Sequence, residues 1–292
     1  RESYKRGYVL ASLYPFSHPF YRKFGFENGQ YMDRCHVQTQ DLRRFPCTGK
    51  VRQFMPGEDD SVIKDIYNAF RKNRNFAVDR GDWEWNALKK DPYKTHVHTY
   101  IWYADNGKAE CYFTLRHENN GGKSYFVGDW AYLTPRSIRG MLGFLGLLAP
   151  GGDKMEIWLP HDVNPFILFE ETYAVRVEHT SRGMVRIVNV QKALEGHPWQ
   201  EETDLILQVE DKIIPENNGV FHVACKRGKT TVEKTDGQPD AAFSMQAFSL
   251  LCCGVCSLDE VLLCRDDAEV FGKQDELQQA FIVNHNHLRE DF

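Results

Sequence analysis

The 292-residue sequence predicts an α+β protein built from more than one domain. Three stretches carry the strand half of that expectation: THVHTYIWYAD, AECYFTLRHE and SYFVGDWAYL follow one another closely, as an antiparallel meander does. Flanking them are stretches with apolar residues at helical spacing. From Gly183 onward a second set of amphipathic strands gives way to helical stretches, with enough apolar residues for a core of its own.

The elements follow in order. RESYKRG reads as the tail of a helix with Gly7 just past its end, so the chain is expected to enter in the middle of a domain. GYVLASLYPF is a short apolar strand and GQYMDRCHVQTQDL an alternating one; together they are expected to form the hairpin-like end of that first domain. RRFPCTG supplies Pro and Gly punctuation, and a new unit starts near Lys50. Residues 60–73 form an amphipathic helix, with Asp59, Asp60 and Ser61 favouring its first turn and Val62, Ile63, Ile66, Tyr67 and Phe70 on one stripe. GDWEWNALKKD is a shorter helix. After the meander, PRSIRGMLGFLGLLAP places Pro135 in a first turn and Ile138, Met141, Leu142, Leu145 and Leu148 on one face. KMEIWLP is a strand and NPFILFEETY a helix. In the last unit GMVRIVNV, DLILQVED and GVFHVACKRGKTTVEKT are strands, while AAFSMQAFSLLCC and SLDEVLLC are helices; Ser257 and Glu260 have capping-box spacing. The resulting division is 1–47, 48–182 and 183–292.

Composition narrows the function classes. The chain is 42% hydrophobic and 26% charged, ordinary for a globular protein, and its net charge of −5 with scattered Lys and Arg argues against nucleic acid and permits a cationic substrate. No run reaches the roughly 18 apolar residues of a membrane helix, and the N-terminal stretch has no secretory core, so a cytoplasmic protein with no membrane partner is expected. The eight cysteines have no disulfide-framework spacing, which agrees with a reducing compartment.

Three kinds of motif-like stretch fail on their chemistry. Cys253 and Cys256 have CxxC spacing, which could serve redox or half a zinc site, but no second pair accompanies them and they sit among Leu250, Leu251, Val255 and Leu262; buried structural cysteines are expected, and no metal. The histidines of HVH (96, 98) and NHNH (285, 287) lack accompanying carboxylates or thiolates. HENNGGKS ends like a phosphate-binding loop, yet the position that needs glycine is His117, and a hairpin turn through Asn-Asn-Gly-Gly accounts for it.

The stretch YPFSHPFYRKFGF, residues 14–26, places six aromatics around Gly25 and the basic pair Arg22 and Lys23. It is either a core-packing segment or the frame of one chemically active ring. FSHPFYRKFGFE (16–27) after an apolar strand resembles the end of the cofactor-binding half of a GNAT-type N-acetyltransferase. With the central unit, MVRIVNVQKALEG (184–196), FSLLCCGVCSLDEVL (248–262) and the terminal REDF, the order resembles the Eis family, in which two GNAT-like domains precede a sterol-carrier-protein-like domain.

That resemblance implies GNAT-like mixed sheets followed by a sterol-carrier-like α+β domain, and an enzyme that moves acetyl from acetyl-CoA, its co-substrate, to a primary amine: an aminoglycoside, a polyamine or a lysine side chain. It implies Tyr21 as general acid, since a phenol of pKa ~10 can protonate a departing thiolate whose conjugate acid lies near ~8.5. Phe16 and Ser17, with Tyr21, would lie beside the cofactor. The base would be the α-carboxylate of Phe292, of intrinsic pKa ~3.5, with Glu290 and Asp291 adding negative potential for an ammonium-bearing substrate. The family also implies a homo-oligomer, with a hexameric ring as its known form. No Gly-rich pyrophosphate loop of the GNAT type occurs in the sequence, which leads to the expectation that the chain lacks about 100 residues of its first domain by domain-size reasoning. The competing reading is a non-catalytic lipid-binding or assembly module, with an apolar cavity in the last domain unless Phe243, Phe248, Leu250 and Leu262 fill it.

Overall fold

The computed structural model describes residues 1–118, 124–160 and 162–289. The chain begins with a one-turn helix α1 (Glu2–Lys5), strand β1 (Leu10–Leu13), helix α2 (His18–Arg22) and strands β2 (Glu27–Asn28) and β3 (Tyr31–Gln38). A 3-10 turn (Thr39–Arg44) leads to β4 (Lys50–Phe54), α3 (Ser61–Arg71), α4 (Asp82–Leu88) and α5 (Pro92–Thr95). Then come the meander β5 (Val97–Tyr103), β6 (Ala109–Glu118) and β7 (Ser124–Tyr132), helix α6 (Pro135–Gly146), β8 (Lys154–Leu159), α7 (Pro165–Leu168) and β9 (Val175–Ser181). Last are β10 (Met184–Ile187), α8 (Val190–Gly196), β11 (Thr203–Glu210), β12 (Gly219–Lys226), β13 (Lys229–Lys234), β14 (Ala241–Ser244), α9 (Met245–Cys252), α10 (Leu258–Cys264), β15 (Ala268–Val270) and α11 (Gln274–Ala280).

Two compact units result. Among the described residues the central unit holds those of 32–180 and 287–289, and the other holds 1–31 and 181–286. The central unit is a seven-stranded sheet, β4-β5-β6-β7-β8-β3-β9, antiparallel along the meander and parallel between β7 and β8. Each face carries its own core. On one, the α3 stripe Ile63, Ile66, Tyr67 and Phe70 meets Ile101, Tyr112 and Ala131; on the other, α6 places Ile138, Met141, Leu142 and Leu145 against Trp102, Phe113 and Trp130. Neighbouring residues such as Ile101 and Trp102 point to opposite faces because the strand period is two. Fully buried side chains of this size each contribute about 1.5–3 kcal/mol.

The other unit contains two sheets, β1-β10-β2 and β13-β12-β11-β14-β15. In the larger one β11 runs antiparallel to β12 and parallel to β14, with Val209 opposite Phe243. Phe243, Phe248 and Leu250 are buried in this unit and Leu262 is half-buried.

Three local expectations change. β1 and β3 do not share a sheet: β1 pairs with β10, Leu10 opposite Ile187, while β3 pairs with β8, Cys35 opposite Ile157. AAFSMQAFSLLCC is not helical throughout, because Ala241–Ser244 is a strand, and Ser244 then caps α9 by accepting from the N–H of Ala247 at 3.1 Å. In NPFILFEETY only Pro165–Leu168 is α-helical; Phe169 is extended and Thr172–Ala174 forms a 3-10 turn. The capping box at Ser257 and Glu260 is present. The Asn-Asn-Gly-Gly turn lies outside the described residues.

Candidate active site

Helix α2 is short, with Pro19 in its first turn and Ser17 as N-cap in extended conformation. Ser17 makes no side-chain cap bond. The helix ends in a turn where the N–H groups of Phe24 and Phe26 both donate to the carbonyl of Tyr21, at 2.9 and 3.3 Å. Gly25 sits there at φ +81°, a conformation that favours glycine.

This turn gathers the rings. Tyr21 lies 5.2 Å from both Phe16 and Phe20 and 6.0 Å from Phe26, all edge-to-face, the geometry the ring quadrupoles prefer. Phe16, Phe20 and Phe24 are 78%, 43% and 40% exposed, so the cluster is not a closed core segment. Among the described residues the Tyr21 hydroxyl has no hydrogen-bond partner. A phenol is thus held beside an accessible apolar surface with its donor uncommitted.

Charged groups fix the backbone around it. Arg22 forks onto Glu27 at 2.7 and 2.9 Å, and Glu27, only 2% exposed, also accepts from Arg265 at 2.8 Å. Burial alone would raise the Glu27 carboxyl, but the Arg22 hydrogen bonds and the Asn28 N–H hold it below the usual range. Gln246 Nε2 donates to the Arg22 carbonyl at 2.8 Å, and Arg186 Nη1 donates to the carbonyl of Phe24. A water-accessible cavity of about 410 Å³ opens beside the turn, lined by Lys23, Gly25, Asp211, Gln246 and Asp267 among others.

Of the sequence-predicted site residues, Phe16, Ser17 and Tyr21 are brought together on this turn. Glu290, Asp291 and Phe292 lie outside the described residues. The segment leading to them is held within the central unit: His287 N–H donates to Asn75 O at 2.7 Å, His287 stacks edge-on at 5.1 Å from Phe70, Leu288 is buried, and Arg289 lies 3.7 Å from Asp129. The sequence reading missed the charges around Tyr21, whose partners stand up to 238 positions apart.

The CxxC thiols are poor nucleophiles. Burial pushes Cys253 well above its ordinary value and Cys256 up to about 11. Among the described residues no cluster of three or more His, Cys, Asp or Glu side chains could hold a metal.

Comparison with known proteins finds two families along the chain. Residues 77–187 match the Acetyltransferase (GNAT) domain family and residues 190–288 match the Sterol carrier protein domain family. The chain joins a GNAT acetyltransferase domain to a sterol carrier protein domain. Among solved structures it is similar to a GCN5-related N-acetyltransferase from Anabaena variabilis (21% identity, 98% of this chain and 73% of that one, TM-score 0.84). A conserved protein from Enterococcus faecalis matches at 24% identity, covering 100% of this chain and 74% of that one, with TM-score 0.85. Eis1 from Mycobacterium abscessus matches at 17%, covering 100% and 75%, with TM-score 0.75. At these identities the likeness establishes the fold. No curated protein matches the chain.

The matched GNAT range excludes Tyr21, and inside it the helix after the meander does not offer a phosphate site. At the start of α6 the Ser137 N–H donates to Thr134 Oγ1 at 3.1 Å, and that hydroxyl donates to Glu110 at 2.8 Å. A carboxylate at a helix N-terminus occupies the place where phosphate charge would be welcome, and opposes it. No helix among the described residues is long and apolar enough to cross a membrane.

Proposed function

We propose that the protein is an Eis-like N-acetyltransferase that moves acetyl from acetyl-CoA to a primary amine, with Tyr21 as general acid and the α-carboxylate of Phe292 as base. The observation that carries this reading is the Tyr21 hydroxyl, which lies beside the exposed rings of Phe16 and Phe20 with no hydrogen-bond partner among the described residues. A donor beside Phe16 and the Ser17 backbone suits the thioester end of an acyl-CoA, whose chemistry is to supply an activated acyl group and a thiolate leaving group. The carboxylate takes a proton from the substrate ammonium, the neutral amine so formed attacks the thioester carbonyl, and as the C–N bond replaces the C–S bond Tyr21 gives its proton to the departing sulfur.

In this reading the evolutionary domains run 1–47, 48–182 and 183–292, and the amine is an aminoglycoside, a polyamine or a lysine side chain. A homo-oligomer, hexameric in form, rests on the family resemblance alone and is measured by sedimentation velocity; a cytoplasmic location rests on the cysteine usage and the lack of a secretory core in the given N-terminal stretch. Buried Phe243, Phe248 and Leu250 weigh against a lipid-carrying role for the last domain. The deciding experiment is Tyr21→Phe in the full-length protein. Amine acetylation is expected to fall by about 10²-fold or more with an unchanged circular dichroism spectrum; wild-type turnover refutes the assignment.

A further inference from the structure

A single-turn helix cannot hold itself in place, because nucleation costs more than its few hydrogen bonds return. Helix α2 therefore depends on what grips it. We propose that the sterol carrier sheet is the positioning frame of the Tyr21 helix, with Gln246 and Arg186 as positioning residues; this rests on Tyr21 being the acid of the proposed reaction.

Three tethers reach the helix and its turn. Gln246, in the first turn of α9, donates to the Arg22 carbonyl at 2.8 Å. Arg186 on β10 donates one guanidinium nitrogen to the Phe24 carbonyl and the other to both oxygens of Asp211, at 2.8 and 2.6 Å. The Asp211 carboxylate is itself fixed by the N–H of Ile213 at 2.9 Å and by Asn217 Nδ2 at 2.8 Å. The third tether runs from Arg22 through Glu27 to Arg265, which donates to Asp267 at 2.7 Å; Asp267 accepts from Ser244 Oγ at 2.7 Å.

These tethers converge on one place in the sheet. Ser244 ends β14, and its register partner Glu210 immediately precedes Asp211 at the end of the neighbouring parallel strand β11. The Gly25 turn is shaped to the same frame: a Cβ there would stand 2.9 Å from Arg186 Nη1 and 3.1 Å from Met245 Cγ. Arg186 and Asp211 are 4% and 1% exposed at their side chains, so solvent screens this pair little. A misplacement of about 1 Å at a reacting group can cost on the order of 10²-fold in rate, which makes such a frame consequential.

Gln246 gives the sharper test, since it is half-buried and borders the 410 Å³ cavity, so that water can fill the space an alanine leaves. In the full-length protein, Gln246→Ala is expected to lower kcat about tenfold with KM for the amine unchanged. Gln246→Glu, which turns an acceptor on the Arg22 carbonyl, is expected to lower it further. With 3-fluorotyrosine placed at position 21, the fluorine resonance should shift and broaden in both variants while the melting temperature stays near wild type. An unmoved fluorine resonance together with unchanged kcat overturns the inference. If Tyr21→Phe keeps full activity, the acid assignment falls, and the fluorine signal still decides whether the sheet positions the helix.

Discussion

Arg80 and Asp129 meet as a fork on a carboxylate, Nη1 to Oδ2 at 2.8 Å and Nη2 to Oδ1 at 2.9 Å, with the Tyr112 hydroxyl donating to the same group at 3.0 Å. The Arg80 guanidinium also stacks 3.9 Å from the Tyr67 ring. Burial would raise the Asp129 carboxyl, yet the Arg80 charge and hydrogen bonds outweigh it and hold the group down to about 2. Removing Arg80 leaves the Asp129 carboxylate only the Tyr112 hydroxyl and the Arg289 charge at 3.7 Å, so the cost is expected near the lower end of the roughly 3–5 kcal/mol for a broken buried pair. Arg80→Met should lower the unfolding free energy from denaturant titration by about 3 kcal/mol, and the double variant Arg80→Met, Asp129→Leu should recover part of the loss. Equal losses in both would show that the charge pairing is not the cause.

His287 predicts the acid response of the same unit. Burial, then the charges of Arg289 and Arg74, push the ring down to about 3. The folded ring therefore stays neutral while the unfolded one takes up a proton below about 6.5. The unfolded state binds more protons in this window, so stability falls as pH drops from about 6.5 toward 3, with a slope approaching 1.4 kcal/mol per pH unit for one proton. His287→Gln should flatten thermal stability against pH between 6.5 and 4. A slope unchanged by the substitution would assign the acid sensitivity to other groups.

Gly143 should reverse the usual rule for helix interiors. Replacing glycine by alanine normally favours a helix by about 1 kcal/mol. On α6, however, a Cβ at position 143 would lie 2.6 Å from Pro46 O and 2.7 Å from Pro46 C, and one at 146 would lie 2.7 Å from backbone atoms of Arg43 and Leu42. Backbone cannot swing aside as a side chain can. Gly143→Ala is expected to destabilise by about 1–3 kcal/mol, seen as a melting temperature several degrees lower. A stabilised variant would mean that the helix and the Pro46 backbone separate at little cost.

Gly25→Ala combines two penalties. At φ +81° an L-residue costs about 1–2 kcal/mol, and the new methyl meets the Arg186 guanidinium. Chemical unfolding of the purified variant should show at least that loss. A wild-type midpoint would show that the turn can relax without disturbing Arg186.

Much of this fold is legible locally. The α3 stripe, the meander and the Ser257 capping box follow from side-chain period and from hydrogen bonds spanning a few residues, so a short window contains their cause. Sheet partners are different. β1 and β3 both read as strands close together in sequence, and what separates them is pairing with β10 and β8, more than a hundred residues away. AAFS looks helical beside the stretch that follows, but a parallel neighbour, β11, decides that it is a strand. At the site, the aromatic crowding around Gly25 could be read from composition, and the role of Tyr21 only from the family resemblance. Arg186 and Asp211, or Glu27 and Arg265, are unremarkable in sequence because charge pairing over such separations leaves no periodic trace.

The pairing of Leu10 with Ile187 sets an order for biosynthesis. A ribosome releases the first strand long before its ladder partner exists, whereas most of the seven-stranded sheet can assemble from residues emerging in between. Until translation passes residue 187, the edge of β1 that pairs with β10 has no ladder partner, and an unpaired strand edge is where partly made chains associate.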